Sequence, residues 1–239
     1  MYGINPAILG AAGAAAGGAG GSNLTDYGTP EAVWTAASLA GGGDPTVAWA
    51  DDTGNGNDVT GDDGGGGTSY SATGFDGTHG VTMGPTLNDA LVIPTIAMGS
   101  AYTLLVFWTV TSDSAFMGHL TNNVQVRRDR SGGNNYSMYG GTAERISNAS
   151  SADHTAVHMS VFEFDGAGVR YQNNEEELTL ASADGTPGTM TFNRLFRTQS
   201  FLKLNGSVGQ IGLWKSALGK TTCDDIYNNV GKPIYTSLP

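Results

Sequence analysis

The chain has 239 residues, and the formal net charge of −11 comes from 22 acidic against 11 basic residues. That field repels phosphate backbones and anionic lipid, so neither nucleic acid nor a membrane is expected as a partner. The 37 glycines and 14% charged residues suit short strands joined by many turns and exclude long helices, and one cysteine, Cys223, excludes an internal disulfide or a multi-cysteine zinc site.

The first segment, MYGINPAILGAAGAAAGGAGG, is apolar but has no basic residue, the first in the chain being Arg127. It therefore lacks the charged start of a signal peptide, and it is too rich in glycine for a membrane span. Residues 1–21 are read as an arm ahead of a body at 22–239. Tyr2, Ile4, Ile8 and Leu9 are its anchors for burial in another chain, with a flexible linker as the alternative. Next, Trp34 and Trp49 flank a Gly-Gly-Gly-Asp-Pro break, which reads as two edge elements of a sandwich. Residues 62–74, with four consecutive glycines, read as loop, and Phe75 anchors the start of a strand.

The clearest strand is AYTLLVFWTV at 101–110. Tyr102, Leu104, Val106, Trp108 and Val110 share one face, Leu105 and Phe107 the other, so both faces must be covered. A hairpin follows, with Val161, Phe162 and Phe164 before a turn at Asp165 to Gly168 and Val169 and Tyr171 after it. SVGQIGLW is a further strand. A helix is expected over Thr222 to Val230, capped by Thr221 and stopped by Gly231 and Pro233, with Cys223, Ile226, Tyr227 and Val230 on its buried face. Many short strands and one short helix predict an all-β fold, a two-sheet antiparallel sandwich.

The stretch DDTGNGNDVTG at 51–61 carries the densest polar signal. No helix follows, so it is neither a phosphate cradle nor an EF-hand, whose twelfth position would here be Asp62. The order of WADDTGNGNDVTG, FDGTHGVTM, YTLLVFWTV, FEFDGAGVRYQNN and GSVGQIGLWKSALGKTTCDDIYNNVGKP resembles the concanavalin A-like lectin and laminin-G-like (LamG) jelly-roll superfamily across roughly residues 30–235. Asn173-Asn174 stand where Asn-Gly is usual in that family. The resemblance implies a binding surface on the concave face or the loop rim, often with calcium nearby. Asp52, Asn55, Asn57 and Asp58 supply oxygens of the kind calcium prefers, and the same residues serve equally as turn formers.

No catalytic constellation emerges. Glu163 and Asp165 begin the Glu-x-Asp-x-x-Glu pattern of jelly-roll glucanases, but Ala167-Gly168 follow, and His79, His119, His154 and His158 are scattered. A non-enzymatic role is expected. For ligand binding the candidates are Tyr136 and Tyr139 beside Arg127, Arg128 and Arg130, aromatic faces and polar groups suited to glycans. A lectin-like body without an export signal but with an apolar arm fits a virion component, a capsid decoration or tail protein. It would be displayed on the virion surface and contact other virion proteins or its own copies. The alternatives are a secreted or cell-surface carbohydrate-binding adhesion module and, last, a glycan-degrading enzyme.

Overall fold

The computed structural model describes residues 23–40, 43–62, 67–83, 90–110, 114–122, 124–128, 135–140, 144–148, 156–182, 187–197 and 204–239. The arm at 1–21, Arg130 and His154 lie outside the described residues. In chain order the strands are β1 (Pro30–Thr35), β2 (Gly61–Asp62), β3 (Thr68–Phe75), β4 (Thr78–Met83), β5 (Leu91–Ala97), β6 (Tyr102–Val110), β7 (Ser114–Gly118) and β8 (Val124–Arg128). Then come β9 (Tyr136–Gly140), β10 (Glu144–Ser147), β11 (His158–Phe164), β12 (Val169–Asn173), β13 (Glu176–Leu178), β14 (Leu180–Ser182), β15 (Thr191–Leu195) and β16 (Gly206–Trp214).

They form two eight-stranded antiparallel sheets. The first runs β13-β12-β11-β6-β16-β4-β3, with β1 also paired to β16, and the second runs β14-β10-β9-β8-β7-β15-β5-β2. Strand β16 pairs along one edge with β6 and divides its other edge between β4, through Gly206 to Val208, and β1, through Gln210 to Trp214. Gly209 stands at the changeover. A Cβ there would lie 2.4 Å from the Tyr235 hydroxyl and 2.7 Å from the Phe75 ring, so only glycine fits.

The two faces of β6 go to two separate cores. Tyr102, Leu104, Val106, Trp108 and Val110 pack between the sheets with Phe116, Phe162 and Leu195. Leu105 and Phe107 meet Val161, Trp214, Cys223, Ile226, Tyr227 and Val230 on the outer side, under the C-terminal helical segment. The first sheet is thus covered on both sides, which is why its central strand is apolar throughout. No described helix is long and apolar enough to cross a membrane.

Three local expectations are corrected. The Trp49 segment is not a strand: Asp44 accepts from the Thr46 N–H and Pro45 opens a helical turn over Pro45–Ala48, after which Trp49 is buried and donates to the Thr35 carbonyl. Residues 68–74 are not loop but most of β3, because Tyr70 packs on the core and the Asp76-Gly77 turn, both residues at positive φ, folds β3 onto β4 as a hairpin. The helical segment begins three residues earlier than expected and does not stop at Gly231. It runs as α1 (Gly219–Ile226), a π turn (Tyr227–Gly231) and a last turn (Lys232–Ile234). Gly231 has φ −66°, so it is no left-handed stop. Its missing side chain instead lets the helix approach Phe107, whose ring a Cβ would meet at 2.6 Å. The wider π turn carries the chain to Pro233, whose missing N–H would break a regular ladder.

Candidate functional site

The loop after Trp49 is built inward. Asp51, buried, accepts at Oδ1 from the N–H groups of Val33 (3.0 Å) and Thr53 (3.0 Å), and at Oδ2 from the Asn57 N–H (3.3 Å) and Nδ2 (3.3 Å). The Thr53 hydroxyl lies 2.8 Å from both of its oxygens. Asp58 accepts from the Asp51 N–H at 2.7 Å, and Asp52 accepts from the Thr35 hydroxyl at 2.6 Å. Burial raises the Asp52 carboxyl above its ordinary value, with the donation from Thr35 opposing it. Asn55 and Asn57 donate their amides to the carbonyls of Pro30 and Glu31. Gly54 and Gly56 take positive φ to close the loop. These residues pin the loop to β1, and both carboxylate oxygens of Asp51 are taken up by donors of the loop and of β1. The donor set is that of a brace. Its hub, Asp51, was not among the candidates the sequence suggested.

The basic and aromatic residues of β8 and β9 divide by parity. Arg127 and Tyr139 lie half-buried on the outer face of the second sheet. There Arg127 pairs with Glu144 at 2.9 Å, and the Ser137 hydroxyl donates to the same carboxylate at 2.8 Å. Arg128 and Tyr136 are not surface residues, contrary to the sequence expectation. Arg128 is buried over the Trp108 ring, 5.3 Å from its centroid, and Tyr136 is fully buried between the sheets. A strand alternates its faces, so adjacent arginines cannot share one.

Tyr136 belongs instead to a directional chain of hydrogen bonds. Trp108 Nε1 donates to the Ser160 hydroxyl at 2.7 Å, Ser160 donates to Tyr136 at 3.0 Å, and Tyr136 donates to Asn173 Oδ1 at 3.0 Å. Burial pushes the Tyr136 phenol well above its ordinary value, against the opposing effects of Ser160 and Arg128, so it stays a donor. The chain satisfies four buried polar groups and fixes the Asn173 amide.

Asn173 opens into a cavity of about 420 Å³ lined by Ala156, His158, Asn173, Asn174, Glu175, Glu176, Tyr227 and Pro239. Its corner is Asn174, at φ 54° in the turn from β12 to β13. The Asn174 N–H donates to the Met159 carbonyl at 2.7 Å, its Oδ1 accepts from the Met159 N–H at 2.9 Å, and its Nδ2 lies 3.2 Å from His158 Nδ1. Asparagine tolerates the left-handed conformation that glycine usually supplies here. Glu175 accepts from Asn228 Nδ2 at 3.0 Å, which ties the turn to the helix, and Tyr227 donates to the Pro239 oxygen. Wall and rim thus hold amides, an imidazole and two carboxylates. The sequence marked the Asn173-Asn174 pair through its family position, but nothing local joined it to His158 or Tyr227.

The residues weighed for catalysis are structurally engaged. Glu163 is buried: Oε1 accepts from Arg170 Nε at 2.9 Å, and Oε2 accepts from the Thr103 hydroxyl at 3.0 Å and the Gly219 N–H at 2.9 Å at the start of the helix. Burial alone would raise its carboxyl, but Arg170 and the Gly219 N–H prevail and hold it below the ordinary value. Asp165 accepts from the N–H groups of Ala167 and Gly168 in the hairpin turn. Cys223 is buried against Arg170, and its thiol is pushed up to about 11 by burial, so it is not poised as a nucleophile. His79 meets the Tyr70 hydroxyl, and His119 Nδ1 accepts from the Asn122 N–H. Among the described residues no group of three or more His, Cys, Asp or Glu side chains gathers as a metal site.

No family model matches the sequence, and no curated protein matches it. Solved structures do match in shape. Domain 4 of AbnA, a GH43 extracellular arabinanase from Geobacillus stearothermophilus, in complex with arabinotriose, is similar over 83% of this chain and 98% of that one, at 15% identity and a TM-score of 0.61. Trypanosoma rangeli sialidase in complex with the inhibitor DANA is similar over 82% of this chain at 11% identity and a TM-score of 0.50; the match spans 32% of the sialidase, about a third of its length. At such identities the likeness establishes the fold, a jelly-roll-type β-sandwich.

Proposed function

We propose that this protein is a non-enzymatic glycan-binding module and that the cavity beside Asn173 and Asn174 is its binding site. The observation that carries the reading is the concave polar surface itself: a directional hydrogen-bond chain fixes the Asn173 amide, a hydrogen-bonded turn fixes Asn174, and His158 and the two glutamates lie within the same 420 Å³. Planar amides held in place, with the Glu175 carboxylate tied by Asn228, are what a site needs to read sugar hydroxyls, because their ordering cost has been met before the ligand arrives. The shared fold with an arabinanase domain seen with arabinotriose supports the ligand class. Absence of turnover is part of the proposal, since Glu163 and Asp165 are spent on the helix start and a turn.

A panel of immobilised oligosaccharides tests the proposal, followed by calorimetry on any ligand found and on Asn173→Ala. Binding that Asn173→Ala weakens about tenfold or more, with the sugar recovered intact, is expected. No saccharide binding across the panel, or cleavage of the bound sugar, overturns it.

The finer reading places the module on a virus particle, with Tyr2, Ile4, Ile8 and Leu9 seated in a neighbouring chain. It rests on the composition of residues 1–21, and the adhesion module remains its alternative. A chain beginning at Ser22 should keep its melting temperature and lose particle incorporation or self-association. Normal assembly would make the arm a linker.

A further inference from the structure

Among saccharides, the charge lining the cavity selects. Glu175 and Glu176 both line it, and neither forms an ion pair among the described residues. Glu175 accepts one hydrogen bond, from the uncharged Asn228 amide. Two lysines of the adjoining helical segment are engaged otherwise: Lys220 pairs with Asp224 at 2.6 Å, and the Lys232 ammonium sits over the Tyr227 ring, 4.7 Å from its centroid. Among the described residues no lysine or arginine lines the cavity. Among the described residues, a ligand entering it therefore meets two carboxylates without a matching cation, beside neutral amides at Asn173 and Asn174. The whole chain adds its net charge of −11 to the same sign. An anionic sugar, a sialate or a uronate, would be repelled locally and at long range, whereas a neutral sugar would leave the carboxylates to compete with water.

We propose that the cavity takes an amine-bearing saccharide, a 2-amino-2-deoxyhexose whose protonated primary amine is received by Glu175 and Glu176 while Asn173, Asn174 and His158 face its hydroxyls. A charge-assisted N–H···O bond between ammonium and carboxylate is about twice as strong as a neutral one, so the amine supplies discrimination that hydroxyls cannot. The helix also serves recognition: Asn228 holds Glu175 at 3.0 Å, so one carboxylate is placed before the ligand arrives. The proposal rests on the glycan-binding reading of the same cavity, and its failure is separable from the failure of that reading.

The test is calorimetric titration of the full chain with four probes at low ionic strength: glucosamine tetramer, its fully N-acetylated counterpart, galacturonate tetramer and spermidine. The expected result is binding of the glucosamine tetramer about tenfold or more tighter than its acetylated form, with no heat from galacturonate. Glu175→Gln and Glu176→Gln should each remove most of that preference while the melting temperature stays unchanged. Equal affinity for the amine and its acetylated form overturns the amine assignment but leaves the glycan site standing. Spermidine binding as tightly as the sugar shows a nonspecific cation surface and overturns the saccharide part. No heat from any of these sugars overturns the amine assignment, whereas the glycan-binding reading falls only if the oligosaccharide panel is negative as well.

Discussion

Residues 51–58 and residues 173–176 are both asparagine- and acid-rich turns, yet they use the same chemistry in opposite directions. In the first, Asp51 is buried and accepts from Val33, Thr53 and Asn57, and the amides of Asn55 and Asn57 feed the carbonyls of β1. In the second, Asn174 braces the turn against β11, Glu175 takes one hydrogen bond from Asn228, and Glu175 and Glu176 remain exposed at a cavity. An acidic side chain near backbone N–H groups is consumed by them. One left exposed at a turn, as Glu175 and Glu176 are, is not. Composition cannot separate the two, because the distinction is which unpaired backbone groups lie within reach.

Breaking the first region should cost most. Asp51→Ala strips acceptors from buried donors of β1 and the loop and should lower the unfolding free energy by about 3 kcal/mol in chemical denaturation. Excess calcium or chelator should leave the wild-type melting temperature unchanged, since the brace is complete without a cation. A calcium-dependent rise would put a metal back into the loop and erase the contrast with the second turn.

Glu163 is an inward-turned acid of the same kind as Asp51, and Glu163→Gln should cost about 2 kcal/mol by loosening Arg170 and the helix start. Its folded pKa lies below the ordinary 4.5, so its contribution is complete above that value and disappears as the pH falls below it toward the lowered folded value. The gap in stability between wild type and Glu163→Gln should therefore be full at neutral pH and narrow on acidification. A gap independent of pH would remove the carboxylate from the explanation.

Asn174→Ala should cost about 1.5 kcal/mol, from the positive φ and the lost acceptor for the Met159 N–H. Asn174→Gly should recover only the backbone part. If Asn174→Gly equals wild type, the turn is held by backbone conformation alone and the side chain bracing the cavity is dispensable. The smallest effect belongs to Glu175→Gln and Glu176→Gln, each within about 0.5 kcal/mol of wild type, because exposed carboxylates without ion pairs carry little stability. A large loss at either position would make the second turn a brace like the first.

Sequence alone determined the class of fold and the local elements whose information is local. The alternation in 102–110 set the two faces of β6, the hairpin around Asp165 to Gly168 followed from its turn residues, and Cys223, Ile226, Tyr227 and Val230 were legible as one buried helix face. Tertiary structure decided what depends on partners distant in the chain. Tyr136 and Arg128 looked like surface groups because a short polar strand does not reveal which face meets the other sheet, and Ser160 and Asn173 lie 24 and 37 residues from Tyr136. Gly231 reads as a helix stop until the Phe107 ring is seen against it, and Pro233 until a π turn carries the chain past it. The cavity is the extreme case: His158, Asn173 and Tyr227 become neighbours only when β11, β12 and the C-terminal helix are packed together, and no periodicity along a chain records a contact made across a fold.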